Sequence, residues 1–264
     1  MKKLFLMLLC FSLVLFQVLV FAQDKITVDQ ILNNYIKAIG GKEALEKIIS
    51  RTATGTYEIS PAGIKADLEL YAKSPNSLLL KVKVSKSQII QRAFNGKDGW
   101  AQELQGDIRT IEGTELELLK SKADFYKALH LKDLYPQLKF LEKKQIEITG
   151  KAKTEKKQVY VLESKKENSP TERFYFDVES SLLLRNDIDT EIPKAVKKEG
   201  SPLFESQKAV VPIEVYFEDY KEIDGVKIPL ITRQSIDENN IIIRLNKVEH
   251  NKPIADSLFN QPEK

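Results

Sequence analysis

Apolar residues fall along this chain in three rhythms: one unbroken run, a spacing of three and four, and a strict alternation. The unbroken run is Leu4 to Ala22, interrupted only by Ser12 and Gln17. Helical spacing follows. Ile31, Leu32, Tyr35, Ile36 and Ile39 form one apolar face, Gly40-Gly41 breaks it, and Ala44, Leu45, Ile48 and Ile49 restart it. Thr27 to Ser50 therefore predicts a pair of short helices, with Thr27 as N-cap. From Arg51 the period falls to two. Ile64, Ala66, Leu68 and Leu70 alternate with Lys65, Asp67 and Glu69; Leu78, Leu80, Val82 and Val84 alternate with Leu79, Lys81, Lys83 and Ser85. Ser74-Pro75-Asn76 between them is a turn signal, so the two runs predict an antiparallel pair with one apolar and one charged face. Gln88 to Phe94 and Gly99 to Leu104 continue the pattern around the tight-turn pair Asn95-Gly96.

Gly113 to Leu134 returns to helical spacing, with Leu118, Leu119, Phe125, Tyr126 and Leu129 on a broad apolar face and Pro136 as its stop. Further strands are predicted near residues 145–149, 158–163, 173–178, 182–187, 213–220, 226–234 and 241–248. Ile192 to Val210 carries Pro193, Pro202 and several lysines and predicts a long loop. The fold class is mainly β (α+β). A single antiparallel sheet of about ten or eleven strands should curl into a half-barrel. The helices then have one place for their apolar faces, the concave side. No second composition regime and no repeat appears, so residues 23–264 predict one domain.

The apolar run, headed by Lys2 and Lys3 and ending Val20-Phe21-Ala22, predicts an export signal over residues 1–22, cleaved before Gln23. Cys10 lacks the small preceding residues of a lipidation site. Both methionines and the single cysteine lie within residues 1–22, and beyond them 39 basic residues face 38 acidic ones. A mature chain of that composition has no disulfide framework, no thiolate chemistry and no thioether copper site. Near-neutral charge argues against nucleic acid as a partner. His130 and His250 sit in no metal-ligand spacing, and His130 ends a helix, where a cation caps. No nucleophile elbow, phosphate loop or distinctive carboxylate pair is present, so the chain reads as a non-enzyme with no cofactor and no metal.

What remains is an apolar interior lined by aromatic residues. Phe174 and Phe176 share one strand face, opposite Arg173, Tyr175 and Asp177, and Val215 and Phe217 share another. A curled sheet encloses space that helices or a ligand must fill. The expected lining is Leu68, Leu70, Leu80, Val82, Trp100, Phe125, Leu129, Phe174, Phe176, Val215 and Phe217. The segment from Gly113 to Leu134 is the expected lid, with Gly113 as its hinge.

An ordered series of segments resembles the LolA/LolB-like group of exported bacterial proteins, the outer membrane lipoprotein-sorting proteins. It comprises Tyr35 to Leu45 around Gly40-Gly41-Lys42, Asn95-Gly96-Lys97-Asp98-Gly99-Trp100, and the helix entry Glu112-Gly113-Thr114-Glu115-Leu116. It continues with Phe174-Tyr175-Phe176-Asp177, Leu182 to Arg185, Asp219-Tyr220, and Asp224-Gly225-Val226-Lys227-Ile228-Pro229. Val248-Glu249-His250-Asn251 and Asp256-Ser257-Leu258-Phe259 complete it. The resemblance implies a curved antiparallel sheet of about eleven strands, with helices lidding a hydrophobic cavity. It also implies a monomeric periplasmic carrier of a lipid or lipoprotein acyl chain, with transient protein partners at the inner or outer membrane. The alternative is a non-catalytic envelope sensor or scaffold on the same fold.

Overall fold

The computed structural model describes residues 26–104, 106–149, 154–165, 170–197, 204–236 and 239–262. The expected export signal lies outside them. The described chain opens with α1 (Val28–Ala38) and α2 (Lys42–Lys47). Thr27 starts α1 with a capping box: its hydroxyl accepts from the Gln30 N–H, and the Gln30 side chain accepts from the Thr27 N–H. Six strands follow: β1 (Ser50–Ser60), β2 (Ile64–Lys73), β3 (Ser77–Lys83), β4 (Ile89–Asn95), β5 (Gly99–Gln102) and β6 (Ile108–Ile111). Helices α3 (Gly113–Ala123) and α4 (Lys127–Leu134) intervene. Seven more strands complete the sheet: β7 (Lys139–Thr149), β8 (Thr154–Ser164), β9 (Glu172–Asp177), β10 (Leu183–Lys197), β11 (Phe204–Ile223), β12 (Val226–Ile236) and β13 (Asn239–His250). A 3₁₀ turn, Asp256–Phe259, ends the described chain.

All 13 described strands form one sheet in the order β6-β5-β4-β3-β2-β1-β13-β12-β11-β10-β9-β8-β7. Every neighbour pairs antiparallel, and β6 and β7 remain unpaired with each other, so the sheet is open. Two up-and-down meanders, β1 to β6 and β7 to β13, meet at a single junction between β1 and β13. This topology decides where the middle helices go. The end of β6 and the start of β7 lie at opposite edges of the sheet, so the chain between them must cross from one edge to the other. Packing shows that α3 and α4 make this crossing over the inner face. α3 covers Phe94, Ala101 and Ile111 with Leu119 and Ala123. Phe125, between the helices, reaches the centre against Ile48, Val226 and Ile228. α4 puts Leu131, joined by Tyr135 just beyond it, on Leu162 and Phe174 at the far side, where Ile31 and Leu32 of α1 join them.

The strand count exceeds the ten or eleven expected, because the periodicity does not resolve β1 and β6 as separate strands. The expected helical segment is real but divides at Asp124–Tyr126, where Phe125 N–H donates to the carbonyl of Pro75 at 3.0 Å. One expectation is corrected. Ile192 to Val210 is not a loop at its ends: β10 and β11 pair through Ile192↔Ala209 to Lys197↔Phe204, and only residues 198–203 lie outside the described residues.

Candidate functional site

The inner face of the sheet carries two kinds of apolar surface. Under the helices it is closed. Phe174 and Phe176 are 2% and 1% exposed, with Tyr135 and Tyr35 rings at 5.0 and 5.2 Å. They point inward as their alternation requires, and α1 and α4 fill the space before them. Phe125 and Leu129 pack at the centre with Leu45, Ile48 and Val226 around a void of only about 30 Å³. Beyond the helices the face continues on strands alone. Ala66, Leu68 and Val82 are buried there, and Tyr57, Leu80, Val84, Ile90, Ile243 and Leu245 are packed against them but half-exposed. Leu70 lies in the same register, opposite Leu80 and Ala53. Val215, half-exposed, lies on the same face on β11 opposite Gln234, and Phe217, opposite Thr232, packs against the closed cluster of Phe174 and Phe176.

Trp100 does not belong to this surface. It pairs with Ala93, which pairs with Leu79, and this row faces outward. There it is buried with Ile254 and Phe259, and its indole N–H donates to the Phe259 carbonyl at 2.9 Å. Its neighbour Ala101 faces inward. The expectation that Trp100 lines the concave side is therefore corrected by one residue of register. Gly113 opens α3 at φ 59, and a Cβ there would find no atom within 4 Å, so its backbone conformation rather than space calls for glycine.

Two cations, Arg51 and Lys127, pack against aromatic rings at the helical crossing. Arg51 lies 5.8 Å from the Phe125 ring and donates from Nε to His250 Nε2 at 3.1 Å; burial lowers its pKa to about 10. Accepting at Nε2 leaves His250 its proton at Nδ1, which faces Asp224 Oδ2 at 3.0 Å. Burial, followed by the Arg51 charge, lowers the His250 pKa against the opposing pull of Asp224. Lys127 donates to Ser121 Oγ at 2.9 Å and lies 5.6 Å above the Tyr135 ring. The Tyr135 hydroxyl in turn donates to the buried Glu172 carboxylate, 3.0 Å from each oxygen. Lys122, in the last turn of α3, is exposed. On the far side of the Ser121–Tyr135–Glu172 group, a separate cleft of about 590 Å³ opens outward past His130 and Pro170. Sequence reasoning misses this polar group, because Lys127 reads as an ordinary solvated position on a helix.

Three of the segments that carried the family resemblance, those around Gly40, Gly225 and Asn251, prove to be joints. Gly40 lies against the β11–β12 turn so closely that a Cβ there would meet the Gly225 oxygen at 2.3 Å. Lys227 N–H donates to the Ile39 carbonyl, and the Asn251 amide clasps the end of α2 through Lys47 O and Ile49 N. They hold the first helices to the centre of the sheet and do not line the apolar surface.

No protein-family model and no curated protein matches the sequence. Solved structures do. A DUF1329 family protein from Desulfovibrio piger superposes with TM-score 0.55 at 14% identity, over 88% of this chain and 97% of its own. A LolA superfamily protein from Nitrosomonas europaea gives TM-score 0.55 at 9% identity, over 89% and 98%. A domain from Vibrio parahaemolyticus described as outer membrane lipoprotein-sorting gives TM-score 0.51 at 12% identity, over 83% and 93%. Among the described residues no helix is long and apolar enough to cross a membrane. At these identities the likeness is one of architecture, and the architecture of this chain is the LolA-like one: an open antiparallel sheet curled over helices.

Proposed function

We propose that this protein is a non-catalytic periplasmic carrier that shields an acyl chain of a lipid or lipoprotein and passes it between envelope membranes. The observation that carries this reading is the apolar surface beyond the helices. Tyr57, Leu80, Ile90, Ile243, Leu245 and Val215 stay half-exposed on one face. An acyl chain laid on it gains about 0.8 kcal/mol per buried methylene, so a chain of roughly fourteen carbons binds without any strong polar contact. The helical crossing supports transfer, since its displacement from the sheet enlarges the space. Gly113 serves as its hinge. The LolA-like architecture and the expected export signal agree with this role.

The test is native mass spectrometry of protein isolated from an envelope extract, before and after delipidation. Acyl-bearing mass that leaves on delipidation and returns on incubation with vesicles supports the carrier. A chain that stays ligand-free through both steps, with a protein partner bound instead, overturns it in favour of an envelope sensor or scaffold.

A further inference from the structure

The cleft beyond the Ser121–Tyr135–Glu172 group takes no part in the proposed cargo surface. It encloses about 590 Å³ between α3, α4, the β2–β3 turn and the start of β9. Clefts of roughly 300–1,000 Å³ hold small molecules. Five acidic or basic side chains line it: Glu117, Lys120, Asp124, His130 and Glu172. Four of them are matched. Lys120 donates to Glu117 at 2.8 Å, and His130 Nδ1 faces Asp124 at 2.8 Å. Glu172 is left over. It is 9% exposed, and no lysine or arginine bonds it among the described residues. Lys127 feels its charge but is engaged with the Ser121 hydroxyl and the Tyr135 ring, and it does not line the cleft.

A carboxylate accepts about four hydrogen bonds. Glu172 receives the single Tyr135 hydroxyl proton, 3.0 Å from each oxygen, and the Asn186 amide at a long 3.5 Å. Acceptor capacity therefore remains, in surroundings where an ionised group without a bonded cation is unfavourable. Directly across the β8–β9 ladder from Glu172 stands Ser164. Among the described residues no side-chain polar atom sealed from solvent lacks a partner. Ser164 is 5% exposed and its hydroxyl forms no hydrogen bond there, so the hydroxyl opens onto the cleft that the residue lines. Opposed side chains on one sheet face lie about 5 Å apart, and a single donor group reaches both. Around them Leu118, Leu134, Pro136 and Pro170 make apolar walls, with Leu134 38% exposed.

We propose that this cleft is a second binding site, for a primary amine borne on a short apolar body. The ammonium donates to the Glu172 carboxylate and the Ser164 hydroxyl, and the body lies against Leu118, Leu134 and the two prolines. A primary ammonium suits this floor better than an alcohol does. It brings three donors, and it supplies the cation that Glu172 has not bonded. A quaternary ammonium has no N–H to give and is rejected. A free alkylamine and the aminoalkyl head group of a lipid share this chemistry.

Isothermal titration calorimetry on the mature protein tests this with two matched pairs of probes below their micellar concentrations. One pair is 4-phenylbutylamine and 4-phenylbutanol; the other is dihexanoyl phosphatidylethanolamine and dihexanoyl phosphatidylcholine. A preference of about tenfold or more for the primary amine is expected, weakened by salt. The pair with the larger preference tells a free amine from a lipid head group. The preference should collapse toward parity in Glu172→Gln, which keeps an acceptor for the Tyr135 hydroxyl. It should also shrink in Ser164→Ala, which removes one atom and serves if the first variant fails to fold. Parity within both pairs overturns the proposal, as does a preference that survives in folded Glu172→Gln or stays unchanged in Ser164→Ala. Absence of binding by all four probes overturns it too. None of these outcomes touches the carrier reading, because tails resting on the strand surface bind both phospholipids alike and cancel in the comparison.

Discussion

Gly55 sits where β1 meets β13, at a register shift between Thr54 and Gly55. A Cβ there would lie 1.9 Å from the Arg244 carbonyl oxygen, and backbone cannot yield as a side chain can. Gly55→Ala should therefore cost about 1–3 kcal/mol or more, read as a lower urea midpoint. A midpoint within error of the parent would mean that the two strands can separate freely. His250 sets a pH dependence at the same place. Its folded pKa lies below the ordinary value, so the folded state favours the neutral ring. The stability this contributes is complete above the unfolded pKa of about 6.5 and is lost as pH falls through the folded pKa. The Tm of the wild type should thus fall more steeply between about pH 7 and pH 5 than that of His250→Gln, which cannot titrate. Parallel Tm curves would remove His250 as the cause. On the outer face, Arg185 lies between the Tyr175 and Tyr216 rings at 5.1 and 5.3 Å and donates to the buried Asp187 at 2.9 Å. Arg185→Ala leaves that carboxylate uncompensated and should cost about 3–5 kcal/mol, measured by the same denaturation.

Whole elements respond to covalent ties and deletions. The α3 crossing touches β5 where a Cβ on Gly99 would come within 2.9 Å of Leu119 Cδ2. Paired cysteines at positions 99 and 119 would tie α3 to β5 across this contact. Oxidation should slow acyl-chain exchange by an order of magnitude or more if the crossing moves, and reduction should restore it. Exchange that ignores the redox state would show that cargo enters without moving α3. Alternation locates the sheet, the helix pair and the inward faces of Leu68, Val82, Phe174 and Phe176, because charged or polar residues separate the apolar ones along much of those strands. It fails where both sides are buried. Leu78, Leu79 and Leu80 are consecutive, since the helices cover one face and the segment from Ile254 to Phe259 covers the other. That hidden second layer is why alternation alone turns Trp100 inward. The ends of β10 and β11 escape notice for another reason: prolines and lysines mark loops, and a strand pair that carries them lacks the usual signals. The group of Lys127, Ser121, Tyr135 and Glu172 is illegible in the sequence because only the fold brings α3, α4 and β9 together.

At the scale of the whole molecule, the single tryptophan lies on the outer face, away from the proposed cargo surface. Its emission should report the C-terminal cover: removing residues 254–264 should shift the maximum to the red, while saturating oleate on the intact protein should leave it unmoved. A ligand-induced shift would place cargo on the outer side. The strand order has a different consequence. Each meander is built from neighbours in sequence, and β1 with β13 is the one strand pairing among the described residues that joins distant parts of the chain. Local hairpins close quickly, whereas that pairing must wait for a long excursion of the polypeptide. The molecule is in effect two pleated fans riveted along one spine. Fragments divided ahead of Gly113 and produced together should recognise each other there and restore a working whole, which makes this chain a natural starting point for a split reporter.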